Sequence, residues 1–379
     1  MHLTTLGEII KLEYGKPLPQ SDREEKGPYP AYGANGIKAR TNKYLYDKPS
    51  IIVGRKGSAG ELNLIDGKFW PLDVTYFLTH DEQVTDLLYL YHLLKTLNLT
   101  SMARGVKPGI NRNDIYAIRV SIPSLDIQRQ VVAKLDAAFE KIDRAIELNE
   151  KNISHSKNIF DATLRSYFDQ EHQDWTTEVL GSITTKIGSG ATPKGGKNSY
   201  QDTGVSLIRS LNVYDTYFKY DKLAHLSREQ AEKLSNVELQ SKDVLINITG
   251  ASVARCTVVP EDCIPGRVNQ HVSIVRVDQS KMIPEFLHYQ LVSDRYKKLL
   301  LGIGDSNGST RQAITKGQLQ TFTLHFPSLL NQQAQIVDTI DKVLRFSQVL
   351  ISKYTQKTGH LRALKQSMLN EAFLGSDVK

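Results

Sequence analysis

The side chains best suited to chemistry in this 379-residue chain are cations and amides gathered at glycine-bearing turns. The first half carries Arg40, Arg55-Lys56-Gly57-Ser58, Arg104, Lys107 and Arg112. The second carries Arg209, Asn212, Thr249-Gly250-Ala251-Ser252, Arg255, Asn269-Gln270-His271, Arg311 and Lys316. Arg and Lys neutralise phosphates, while Arg, Asn and Gln form paired hydrogen bonds to guanine or adenine edges in a major groove. Singly, each is an ordinary solvated charge, and Gly57 and Gly250 suit any tight turn that needs φ > 0. Recurring at equivalent points of two halves, they argue for a shared task on a polyanion. The expected DNA contacts are Arg55, Lys56, Arg104, Lys107, Arg112, Arg209, Arg255, Gln270, Arg311 and Lys316.

Catalytic signatures are missing. Ala191-Thr-Pro-Lys-Gly-Gly196-Lys197-Asn198 is close to a phosphate-binding loop, but Ala replaces its first Gly and Asn its Ser/Thr. A glycine- and lysine-rich surface loop is the expectation there. No Gly-x-Gly-x-x-Gly follows a strand pattern. There is no Asn-Pro-Pro-aromatic tetrapeptide of amino-methyltransferases, no helicase-type ATP site and no Gly-x-Ser-x-Gly elbow. The ten histidines lack metal-site spacing. Neither catalysis nor a bound metal is expected of this chain.

Composition agrees with a folded, water-facing chain: 40% hydrophobic, 23% charged, net +7. Two or three domains are expected at this length. The opening Met1-His-Leu-Thr-Thr-Leu-Gly-Glu lacks a secretory pattern, and no apolar run approaches the ~20 residues of a membrane span. Cys256 and Cys263 are too few for a disulfide framework. A cytoplasmic setting without membrane contact is expected.

An internal repeat organises these features. Arg104–Leu125 lies against Gly308–Leu329: Ile110 meets Ile314, Ile115 meets Leu319, and Pro123-Ser124-Leu125 meets Pro327-Ser328-Leu329. Gln128 then meets Gln332. One inserted residue after that brings Val131, Leu135, Asp136, Leu164 and Phe168 onto Ile336, Ile340, Asp341, Leu369 and Phe373. Each half also starts alike, at Leu6-Gly7-Glu-Ile9 and Leu180-Gly181-Ser-Ile183.

The shorter, similar stretches read as long helices. In the first, a seam in steps of three and four includes Val132, Leu135, Phe139, Ile142, Ile146, Ile153 and Phe160. In the second it includes Val337, Ile340, Leu344, Ile351, Leu361 and Met368. With Asp126 as N-cap, the first helix should start near Ile127 and run to about Phe168. Forty or so residues make a rod of about 60 Å. Such a helix needs a partner for its seam, and the charges favour the other copy. Residues 123–174 carry 7 basic and 10 acidic side chains, and 327–379 carry 7 and 4. A pseudo-twofold duplication requires the two rods to run antiparallel, with Asn149, Ser156, Tyr354 and Lys365 as polar seam positions.

The longer stretches, 1–122 and 175–326, are basic by +3 and +4 and read as mixed sheet and helix. Strands are expected at 50–54, 74–78, 243–248 and 271–277, and helices at 84–97 and 284–301. The fold class is therefore α+β: two similar globular domains, 1–122 and 175–326, joined by two long antiparallel helices, 123–174 and 327–379, as a coiled-coil spacer.

The chain resembles the specificity (S) subunits of type I restriction-modification systems over nearly its whole length. The resemblance rests on the Pro-then-Gln-then-Val element at Pro123–Val132 and Pro327–Val337, and on the Leu-Gly-x-Ile starts with Gly190-Ala-Thr-Pro193. It rests also on Arg55-Lys-Gly-Ser-Ala-Gly…Phe69-Trp-Pro-Leu-Asp73, on Thr249-Gly-Ala-Ser…Asn269-Gln-His-Val272, and on the ending Leu369-Asn-Glu-Ala-Phe-Leu-Gly375. Ala254 departs from the glycine frequent in relatives, and Ile127 and Asn331 from an acidic residue. The family implies two target recognition domains reading the halves of a split, asymmetric site in double-stranded DNA. The spacer sets the unread gap, because half-site geometry repeats each ~34 Å of duplex. Two modification subunits would dock and supply S-adenosylmethionine-dependent adenine methylation, and restriction subunits would bring ATP and Mg. The chain itself would bind no cofactor. A duplicated coiled-coil scaffold indifferent to DNA is the competing reading, and it predicts no salt-sensitive DNA affinity.

Overall fold

The computed structural model describes residues 2–193, 195–305 and 313–374. Lys194, Arg311 and the repeat segment 308–312 lie outside them. The chain divides into two units, Met1–Glu150 with Thr355–Lys379, and Lys151–Tyr354.

Three sheets of the first unit have counterparts in the second, strand for strand. In unit 1, His2–Thr5 pairs with Arg119–Ile122. A four-stranded sheet runs in the order Ile10–Tyr14, Thr75–His80, Ser50–Gly54, Leu62–Ile65, all antiparallel. A three-stranded sheet runs Gly36–Thr41, Tyr29–Gly33, Trp70–Pro71, its last pairing parallel. In unit 2 the pair is Thr176–Val179 with Thr323–Phe326. The four-stranded sheet is Thr184–Ser189, Val272–Val277, Val244–Asn247, Cys256–Val258, and the three-stranded one is Ala224–Leu226, Val205–Ile208, Arg267–Val268, again ending in a parallel pairing. The strands called by sequence appear within a residue or two of their expected places, because continuous β-branched runs such as Ser50-Ile-Ile-Val suit a sheet buried on both faces. The helix expected over 84–97 is Leu87–Thr96, capped by the Asp86 carboxylate on Tyr89 N–H at 3.0 Å.

One expected element is corrected. The single helix over 284–301 is two, Pro284–Val292 and Asp294–Asp305, broken where Ser293 turns extended (ψ 152°). The Ser293 hydroxyl donates to the Gln290 carbonyl, and its own carbonyl accepts Lys297 N–H to begin the next helix.

The two long helices are Leu125–Phe168 and Leu330–Leu374. The first begins two residues earlier than expected, since Gln128 N–H already bonds the Ser124 carbonyl. In unit 1 they run antiparallel: Asp143 meets Lys365 at 2.7 Å and Glu150 meets Arg362 at 3.1 Å. These exposed pairs each contribute a few tenths of a kcal/mol, so the apolar seam carries the association. Val132, Leu135, Phe139 and Ile142 are buried in the unit 1 core with Leu369 and Phe373. In unit 2 Phe160, Leu164 and Phe168 share a core with Ile340. Ile146, Ile153, Val337, Leu344, Ile351, Leu361 and Met368 are half-buried. Among the polar seam positions Asn149, Ser156, Ser347 and Thr358 are buried, while Tyr354 and Lys365 are half-buried. Each fully buried Leu, Ile or Phe contributes about 1.5–3 kcal/mol.

Candidate nucleic-acid interface

In unit 1 five of the expected contacts converge. The chain leaves the buried strand Ser50–Gly54 into a turn whose Gly57 has φ +80°, a conformation that glycine alone adopts cheaply. This turn lies against a second one: Arg104 and Gly109 exchange backbone hydrogen bonds, Gly57 N–H bonds the Pro108 carbonyl, and Lys56 bridges Gly109. Arg55, Lys56, Arg104 and Lys107 are thereby brought to one surface. Among the described residues no carboxylate stands within ion-pair distance of Lys56, Arg104 or Lys107. Arg112 joins them from the start of the helix Arg112–Tyr116. Both it and Arg55 lie over the Tyr14 ring, their guanidinium carbons 4.8 and 5.2 Å from the ring centroid. Tyr76 packs edge-on against Tyr14 at 5.1 Å. Burial, then the neighbouring Tyr14, raises the Tyr76 pKa above the usual phenol value, so it stays a donor to the Ile110 carbonyl. Tyr14 and Tyr76 escaped the sequence reading, because a tyrosine in a strand has no local signal that arginines will stack on it. Arg40 stands apart, its guanidinium bonded to the Gly27 and Pro28 carbonyls.

Unit 2 builds the same turn. Gly250 also has φ +80°, and Thr249 bridges Ala313 as Lys56 bridges Gly109. Ile314 N–H bonds the Ile248 carbonyl at 2.8 Å, as Ile110 N–H bonds that of Arg55 at 3.0 Å. Ala254 has φ +65° and matches Gly60 at φ +82°. Both donate their N–H to the carbonyl that closes the turn, Asn247 and Gly54 respectively. The turn borders an open cleft of about 760 Å³ that includes Tyr214, Thr249, Ser252, Arg255 and His271. Arg209 lies over Tyr200 and Arg255 over Tyr214.

The remaining expected contacts separate. Gln270 is exposed beside His271, its amide accepting from Thr192 and lying 3.2 Å from His271 Nε2. Asn212 and Asn269 are buried and hold turns through backbone hydrogen bonds. Lys316 starts the helix Lys316–Gln320, the position Arg112 holds in its own half, but lines a different cleft with Lys186 and Gly188. Among the described residues of the 191–198 stretch, Gly196 begins a short helical turn that ends at Ser199. Among the described residues no group of His, Cys, Asp and Glu is placed to hold a metal.

Both units tie a long helix to the globular part with one buried glutamine. The Gln128 amide donates to the Val84 and Pro123 carbonyls and accepts Asp86 N–H at 2.9 Å. Gln333 does the same with Lys281, Pro327 and Ile283. The partner of Gln128 is therefore Gln333, not Gln332, and the inserted residue lies before it. About two turns further on, Asp136 faces His92 at 3.2 Å, where Asp341 faces Tyr289. Burial lowers the His92 pKa against the opposing pull of Asp136.

Comparison with known proteins places this arrangement. The family model described as the type I restriction modification DNA specificity domain matches residues 2–154 and 172–357. The chain is 25% identical over 161 residues to the type I restriction enzyme EcoprrI specificity subunit of Escherichia coli, covering 41% of this chain and 40% of that protein. To the EcoDI specificity subunit of the same organism it is 28% identical over 139 residues, covering 36% and 31%. It thus matches well under half of either relative's length. Among solved structures, a chain from work on complex assembly and conformational transition of the type I R-M system aligns with TM-score 0.74 at 18% identity, over 98% of this chain and 97% of that one. The HsdS subunit from Thermoanaerobacter tengcongensis aligns with TM-score 0.55 at 17%, over 98% and 96%. Two copies of one domain model span most of its residues, and the chain belongs to the type I restriction modification DNA specificity domain family.

Proposed function

We propose that this chain is the DNA-recognition subunit of a type I restriction-modification complex, without catalysis of its own. Residues 1–122 and 175–326 act as target recognition domains, each reading one half of a bipartite, asymmetric site, and the helices 123–174 and 327–379 set the gap. The observation that carries this is the repeated turn: Lys56 to Gly109 and Thr249 to Ala313 form the same bridge beside the same left-handed glycine. Cations or hydrogen-bonding side chains surround it in both units. Two modification subunits and the restriction subunits complete the complex, bringing S-adenosylmethionine, and ATP with Mg. Exposed apolar side chains on the second long helix, Phe346 (58%) and Val349 (51%), support a docking role. No described helix is long and apolar enough to cross a membrane, and the setting is the prokaryotic cytoplasm.

The test is co-expression of the full chain with its modification subunit, followed by mapping of methylated adenine in host DNA. A single split motif with a constant gap is expected. Exchanging residues 1–122 for another recognition domain should change one half of that motif. A complex that purifies intact yet leaves no motif would overturn the reading.

A further inference from the structure

Four arginines in the two candidate surfaces lie against tyrosine rings, and three have their hydrogen-bonding edge engaged. Arg55 donates twice to the Asp73 carbonyl at 2.7 and 3.1 Å. Arg112 donates to the Leu12 carbonyl, and Arg209 to that of Lys222. Arg255 differs. Among the described residues its guanidinium makes no hydrogen bond or ion pair, although it lies 4.5 Å from the Tyr214 centroid. The Tyr217 ring stacks on Tyr214 at 4.6 Å and 14°. Tyr214 is thus packed by both the guanidinium and the Tyr217 ring, and contact with the ring restrains the guanidinium while leaving its fork free.

The supports beneath this stack are rigid. Buried Asn247 donates to the Ser210 carbonyl and to Ser252 Oγ, joining the segment before Tyr214 to the turn before Arg255. Asp215, next to Tyr214, accepts Cys256 N–H and pairs with Lys297. Thr249 and His271, hydrogen-bonded to each other, also line the cleft. A phosphate can be met by a lysine as a point charge, whereas guanine presents O6 and N7 side by side on one edge, which the flat guanidinium fork matches in a fixed orientation.

We propose that Arg255 reads a guanine in the half-site facing unit 2, with Tyr214 as its positioning residue. This rests on the DNA-recognition reading above and assigns one base to one side chain within it. The full chain is co-expressed with its modification subunit as wild type, Arg255→Lys, Tyr214→Ala and Tyr214→Phe, and methylated adenines are mapped in each host. In the wild type, the half of the motif that survives exchange of residues 1–122 contains an invariant G:C pair. Arg255→Lys and Tyr214→Ala lose roughly five- to a hundred-fold of discrimination at that pair alone. Tyr214→Phe, which keeps the ring, retains it. The untouched half of the motif reports on folding and assembly in every variant. An unchanged motif in Arg255→Lys or Tyr214→Ala overturns the proposal, as does loss spread over both halves. Absence of any motif in the wild type defeats the DNA-recognition reading itself, and this proposal with it.

Discussion

Units 1 and 2 share a backbone and differ in what they mount on it. Sheet order, the left-handed glycine turn, its bridge and the glutamine anchor recur in both. The side chains at one shared register do not. Tyr14 lies across from Tyr76, which lies across from Val53; the matching row in unit 2 is Ser189, Ser273 and Ile246. The aromatic wall that holds arginines in unit 1 is thus absent from that row in unit 2. There Tyr214 and Tyr217, on a neighbouring segment, supply one for Arg255. Backbone hydrogen bonds and buried apolar contacts fix the shared part, while the exposed end of that row, Tyr14 in one unit and Ser189 in the other, tolerates exchange with little cost in stability.

The comparison can be broken most forcefully at the seam. Leu135→Asp in unit 1 and Ile340→Asp in unit 2 each bury a charge among apolar neighbours, costing about 4–5 kcal/mol. Hydrogen exchange should show each loss of protection centred on its own unit; folded, fully protected variants would show that the seam is not the core. Gln128→Ala and Gln333→Ala should each cost about 3 kcal/mol, because two carbonyls and an N–H lose their partner. Equal drops in thermal midpoint would support equivalence of the anchors, and one harmless substitution would refute it.

The turn closers sharpen the comparison with opposite signs. A Cβ on Gly60 would meet the Leu99–Thr100 backbone at 2.5 Å, so Gly60→Ala should destabilise by about 2 kcal/mol. Ala254→Gly relieves a left-handed alanine and should stabilise by about 1 kcal/mol in denaturant titration. Both substitutions destabilising would mean that the two turns are not equivalent.

Smallest is the acid response. His92 is held neutral by burial, its pKa below the ordinary value of 6.5. The unfolded chain therefore binds its proton first as pH falls. The stability from His92 is present above pH 6.5 and declines below it. His92→Tyr copies Tyr289 and should flatten the fall in thermal midpoint between pH 7 and 5.5. It should not abolish it, since buried His288 in unit 2 is shifted in the same direction. An unchanged pH profile would remove His92 from the account.

What the sequence revealed followed from periodicity, and what it hid followed from distance. The two long helices were legible because seam steps persist from Val132 to Phe160 and from Val337 to Met368. The break at Ser293 was not, since a serine whose side chain bonds back to the chain is common within helices. Adjacent Gln332 and Gln333 look alike in a repeat, and only their partners distinguish them. The cations of unit 1 could be named, but their gathering around Tyr14 depends on contacts such as Arg112 with Leu12, 100 residues apart. Asn212 and Asn269 looked like base readers by residue type, while their amides are engaged in holding turns.

The sequence of unit 2 interrupts that of unit 1, and this bears on the order in which the protein is made. Lys365 meets Asp143 across 222 residues of sequence, and Phe373 packs on Tyr89 in the same core. At roughly 5–20 residues per second on the ribosome, the strands of unit 1 wait about ten to forty-five seconds for the helix segment that closes their core. Unit 2 is one continuous stretch and can finish during that interval. Unit 1, begun first, is completed last, and its open apolar face is the segment most in need of protection from chaperones during synthesis.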